Sequence, residues 1–337
     1  MAVTGTGTQA DPFVVHSYSE FISLSGHTPI SDTGAVYIKW FDEPGQVLDC
    51  NDYGSEFKWG SFAAVEGYGG YTAYIDLNGA TIKNLIVADG VTMFAGSSWG
   101  GGNMIIDVSN GAIRNVFMGS STSKICNTYV DFHDISMSIN VAGSTVSPFN
   151  GDWSHNINID NCALYLVTST LTAPLMNQVR ITDTDLMLQI ANQNGVMIFA
   201  GDRNAMEPWS MLKDCRIQGK IGGSPIAMTE TGKCSVFGCA TAAYSGDNGK
   251  VVKLTNCVVD VDLTDSLFDY RGANYSIYAA NSSELNTNIF CNSHYPSQGQ
   301  DMEYSYPSDW NYISHSLMRN GAYLNAQGFT VVEVVEG

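Results

Sequence analysis

Three groups of carboxylates stand close enough along this chain to act together: Asp183 with Asp185, Asp202 with Glu207, and Asp260 with Asp262 and Asp265. Paired carboxylates can divide the work of acid and base in glycoside hydrolysis. They can also supply oxygen ligands to calcium in a lyase, where a nearby cation stabilises the developing enolate. Arg180, Arg203 and Arg216 are the basic residues close to these carboxylates. The catalytic candidates are therefore Asp202, Glu207, Asp183 and Asp185. No metal-ligand spacing defines a metal set, no cofactor is implied, and calcium is the cation the acidic pairs would suit.

Several of these carboxylates also have a purely structural explanation. Asp183 occupies a bend of the repeat described below, and Asp185, Asp260 and Asp262 fall on outward positions where a solvated carboxylate is expected. His133 lies between Asp131 and Asp134. Alternate strand residues share a face, so His133 can sit beside Asp131 but not beside Asp134, and no Gly-x-Ser-x-Gly elbow accompanies it. A solvent-facing imidazole is expected. Trp99, Trp153 and Trp209 lie in inserts between repeats, where an indole can stack on a sugar ring or anchor an interface. With Asp152, Asp202 and Glu207 beside them, they form the expected ligand-contacting face.

The elements that must position these residues follow from a repeat. Asn84, Asn115, Asp134, Asn161, Asp183, Asp214, Gly238 and Asn256 are types that tolerate positive φ. Two residues before them stand Ile82, Ile113, Phe132, Ile159, Ile181, Leu212, Val236 and Leu254, and a second apolar alternation follows in shifted phase. A shift from even to odd spacing means that a strand has turned a corner. The intervals of 31, 19, 27, 22, 31, 24 and 18 residues approximate one turn of a parallel β-solenoid. The expected fold is all-β, a single-stranded right-handed parallel β-helix with short N- and C-terminal caps, its hand taken from the general preference for right-handed crossovers.

Residues 1–70 are expected to form an N-terminal cap with lead-in strands, including a short helix near Ser17–Leu24. Residues 71–265 are expected to form the rungs, and residues 266–337 an irregular Tyr-rich region with a C-terminal cap. Cys162, Cys215, Cys239 and Cys257 share one repeat position and are expected as inward-facing free thiols. Ile86, Phe117 and Val258 are apolar at outward positions and imply a subunit contact or a covering loop.

Composition excludes some roles. Only 14% of residues are charged, too few Lys, Glu and Arg for many helices, and the net charge of −18 disfavours a nucleic-acid partner. No apolar run reaches membrane-spanning length. The start, Met-Ala-Val-Thr-Gly-Thr-Gly, lacks the features of a secretion signal, so synthesis in a cytoplasm is expected.

The segment Gly5-Thr6-Gly7-Thr8-Gln9-Ala10-Asp11-Pro12-Phe13-Val14-Val15, with Glu20-Phe21 after it, resembles a leader of right-handed parallel β-helix proteins of bacteriophage tails. Tyr37-Ile38-Lys39 with Leu48-Asp49-Cys50-Asn51-Asp52-Tyr53, and the ending Tyr323-Leu324-Asn325-Ala326-Gln327-Gly328-Phe329, are similar to segments of the same tailspike-like and receptor-binding group. The resemblance implies a virion structural or adhesive protein, a tail fibre, tailspike-like protein or other surface appendage made in the host cytoplasm and displayed on the particle exterior. Its expected partners are other virion proteins, host cell-surface polysaccharide and further copies of itself, a trimer if the tailspike pattern holds. Two alternatives remain open: a polysaccharide-degrading hydrolase or lyase on the same scaffold, and a bacterial surface adhesin.

Overall fold

The computed structural model describes residues 3–27, 34–63, 70–99, 102–141, 146–151, 157–191, 197–201, 210–221, 234–239, 252–263, 275–278, 287–292, 311–313, 317 and 320–327. These are almost wholly β. Among the described residues two sheets are present, one of eighteen strands and one of eight. Strands one repeat apart along the chain pair in parallel. Within the first sheet, Ala35–Trp40 pairs with Tyr71–Asp76, then with Gly102–Met118, and that strand pairs with Val130–Val141. Ile157–Asp160, Val179–Thr182, Ser210–Lys213 and Val252–Leu263 continue the ladder.

Register explains why these sequences hold together. One inward row runs Ile38, Ile75, Val108, Phe132, Ile159, Ile181, Leu212, Leu254, each the Cα partner of the next. A second row runs Leu48, Ile82, Ile113, Met137, Leu164, Leu186, Ile217, Val259. The eight-stranded sheet contributes Phe62, Phe94, Cys126, Phe149, Met176, Phe199, Phe237 and Tyr278 in register. Phe132 joins the sheets, edge-on to Phe94 at 5.8 Å and to Phe149 at 6.4 Å. Each fully buried side chain of this size stabilises the fold by roughly 1.5–3 kcal/mol relative to exposure.

The expected single-stranded right-handed parallel β-helix with short caps is corrected by this strand arrangement. The chain is all-β, but its strands divide between two sheets, one of eighteen strands and one an all-parallel sheet of eight. The first strands, Phe13–Val15 and Ala35–Trp40, already belong to the larger sheet, and Ser97–Trp99 pairs antiparallel with Gly102–Met104.

The eightfold alignment of bends is corrected with it. Ser109 pairs with His133 and Gly111 with Ile135, which places Asn110 opposite Asp134. Asn78, Asn110, Asp134, Asn161, Asp183, Asp214 and Asn256 all have φ between 46° and 59°. Asn84 and Asn115 also have positive φ but mark a second bend, where Asn115 Nδ2 donates to Asn84 Oδ1 at 2.6 Å and Asn84 Nδ2 to Asp49 Oδ1 at 2.8 Å. Gly238 is no bend of this kind: it pairs with Ala200 inside the eight-stranded sheet. A stack of short polar side chains at positive φ satisfies amides that would otherwise lack partners at each turn.

Cys162, Cys215 and Cys257 are buried free thiols that donate to main-chain carbonyls, whereas Cys239 pairs with Gly201 in the other sheet. The helix near the start spans Tyr18–Ser23, capped by Ser17 Oγ accepting from Glu20 N–H. Its Phe21 stacks on Phe62 and packs against Trp40 and Trp59, covering the end of the apolar rows.

Candidate functional site

The structure separates the sequence candidates rather than gathering them. Asp152, Trp153, Asp202, Glu207, Trp209 and Asp265 lie outside the described residues. Trp99 ends the strand Ser97–Trp99, with its main chain opposite Gly102. Asp183 sits at its bend, its carboxyl pushed up by burial and by Asp214 and Asp160 nearby.

Asp185 is not the solvated carboxylate expected. It is 2% exposed, and Arg216 grips it with Nε–Oδ1 at 3.1 Å and Nη2–Oδ2 at 2.7 Å. Burial pushes its pKa up to about 6 although Arg216 pulls the other way. Asp260 is likewise buried, and Asp262 pairs with Lys220 in the backbone register. The outward apolar set also divides. Phe117 is 40% exposed beside its partner Ile86, whereas Val258 is fully buried beside Arg216.

A different group of side chains does come together. On the outward face of the first ladder, one row runs Tyr37, Tyr74, Asp107, Asp131, Asn158, Arg180. The adjoining row runs Lys39, Asp76, Ser109, His133, Asp160, Thr182. Register alone sets these neighbours about 4.8 Å apart along each row. Tyr37 and Tyr74 stack with centroids 4.7 Å apart and planes 12° from parallel. His133 Nε2–H donates to Asp107 Oδ1 at 2.6 Å, and Asn158 Nδ2 donates to Asp131 Oδ1 at 2.6 Å.

Electrostatics mark this face. Burial and the neighbouring Asp131 push Asp107 up to about 6, against the pull of His133. Burial also raises Asp131, while Asn158 and His133 act to lower it. Two partly desolvated carboxyls one strand apart can accept hydroxyl or ammonium donors, and Asp107, pushed up to about 6, can exchange a proton in weakly acidic solution.

Sequence reasoning missed this group because it took Asn115 instead of Asn110 as the bend equivalent to Asp134. Asp107 and Asp131 each stand three residues before a bend once Asn110 is chosen, and the Asn110-Gly111 dipeptide was the available signal. Among the described residues, no group of three or more metal-ligating side chains could hold an ion, and no helix is long and apolar enough to cross a membrane.

No family model and no curated protein matches the chain. Among solved structures, it is similar to a putative immunoglobulin A1 protease from Bacteroides ovatus, at 13% identity over 96% of this chain and 89% of that one, with a TM-score of 0.49. A likeness at that level transfers neither architecture nor activity.

Proposed function

We propose that this chain is an adhesive protein whose outward ladder face contacts glycans of a host cell surface. The observation that carries the reading is the unbroken row in which a stacked Tyr37–Tyr74 pair meets Asp107, Asp131 and Asn158. Aromatic faces beside hydrogen-bonding carboxylates and amides suit a pyranose, which offers an apolar ring face and a rim of hydroxyls. Tyr74 is 36% exposed, so its side chain is available to a ligand. The exterior of a bacteriophage particle, with other virion proteins and further copies of the chain as neighbours, is proposed as the setting on the resemblance alone.

The Asp107–Asp131 pair favours a second reading, cleavage of the bound polysaccharide. Two carboxyls on directly paired positions, with Asp107 pushed up to about 6 by burial, are the residue types that an acid and a nucleophile or base in glycoside hydrolysis require. Purified protein applied to immobilised host polysaccharides tests both readings together. Binding that falls at least about tenfold in Tyr74→Ala, without release of reducing ends, is the expected result. Undiminished binding by Tyr74→Ala would remove this face from the adhesive role, and reducing ends lost in Asp107→Asn would establish cleavage.

A further inference from the structure

The character of the ligand can be read from the same row; this rests on the glycan reading above. Asp107 and Asp131 are directly opposed across neighbouring strands, so two acidic groups share one small patch of surface. Each uses one oxygen: Asp107 Oδ1 accepts from His133 and Asp131 Oδ1 from Asn158. A neutral hydroxyl would leave two adjacent carboxylates repelling each other, whereas a cation between them relieves that repulsion. The next position along the row is Tyr74, stacked on Tyr37, and an ammonium near an aromatic face gains further attraction from the ring quadrupole. A simple metal ion would make no use of the two aromatic rings. A sugar bearing an amino group uses three of these side chains directly, its ring against Tyr74, which Tyr37 backs, and its ammonium at the acidic pair.

We infer that Tyr37, Tyr74, Asp107 and Asp131 form a binding site for a glycan carrying a free amino group. The ammonium donates to the Oδ2 atoms of Asp107 and Asp131, while the pyranose ring lies over Tyr74. Asn158 and His133 hold the carboxylates in place through the Oδ1 atoms. No covalent step is involved.

The probe is a short oligomer of β-linked glucosamine, compared with its fully N-acetylated counterpart and with a lysine peptide of equal charge, measured by calorimetry on the full chain at physiological salt. The amino oligomer should bind at least about tenfold more tightly than either comparator, and that preference should vanish in Asp107→Asn/Asp131→Asn and weaken in Tyr74→Ala. Thermal melts of each variant establish that it is folded before binding is compared. Equal binding by the lysine peptide, or binding that survives the double substitution, would reduce the effect to general attraction by an acidic protein and overturn the inference. Equal binding of the N-acetylated oligomer, lost in Tyr74→Ala, would overturn the amino-group inference while leaving the glycan reading intact. Failure of both oligomers to bind, with other glycans bound through Tyr74, would do the same, and absence of any glycan binding would remove both readings.

Discussion

The ion pair between Asp185 and Arg216 should destabilise the protein at neutral pH as it stands, yet its disruption should destabilise it further. Asp185 is 2% exposed and titrates near 6 in the folded chain, against 3.8 for the free side chain. A folded-state pKa above the unfolded value means that the native state binds the proton more tightly. Stability is therefore greatest below about pH 4 on this account and is lost as pH rises through 6, by roughly 3 kcal/mol over the interval. Removing one partner at neutral pH strands a buried charge, so Arg216→Met should cost about 3–5 kcal/mol. Replacing both with packed apolar side chains, Asp185→Leu/Arg216→Met, should recover that loss and add about 1–4 kcal/mol. Urea unfolding of the three proteins at pH 4.5 and pH 7.5 measures these differences. The penalty of the single substitution should shrink at the lower pH, where Asp185 is protonated in either protein. Equal penalties at both pH values, or a double variant no better than the single one, would refute the argument that desolvation outweighs the attraction of Arg216.

Two further outcomes follow from packing. Gly219 has φ of 146°, and an added Cβ would collide with the Leu188 carbonyl of the adjacent strand, so Gly219→Ala should lower the melting temperature by several degrees, whereas Gly45→Ala, with open space around it and φ of 74°, should do less. Cys126, Cys162 and Cys215 are buried, and burial raises their thiols far above the reactive range. Thiol-specific reagents should label them in native protein at least about a hundredfold more slowly than in denaturant, and rapid native labelling would contradict their placement.

What the sequence made legible was local. Alternation around Phe132, Ile159, Ile181, Leu212 and Leu254 identified strands whose apolar members do stack in one row. The positive-φ roles of Asp134, Asn161, Asp183, Asp214 and Asn256 were readable from residue type alone. Equivalence between repeats was harder. Ile82 and Ile113 stand two residues before an Asn as Phe132 stands two before Asp134, yet they align with Met137, because Asn84 and Asn115 mark a second bend further along the repeat. Gly238 fits the bend by spacing, but its pairing with Ala200 places it inside a strand of the eight-stranded sheet, where residue type alone gives no warning. The outward row was hidden for the same reason. Asp107, Asp131 and Tyr74 come from three separate stretches, and only the hydrogen-bond register across strands makes them neighbours.

The amide donors at successive layers share a direction. Asn84 reaches back to Asp49, Asn110 to Asp76, Asn115 to Asn84, Asn158 to Asp131, Asn161 to Asp134, Asn177 to Asn150 and Asn256 to Asp214. In every case the acceptor is made first and the donor later. At these positions a chain emerging from the ribosome offers an oxygen already in place on an earlier strand or bend, and the later segment brings the amide that fastens to it. Growth of this kind is vectorial: the finished portion is a template for the next, and the nascent protein can lay down its courses in the order in which they are translated.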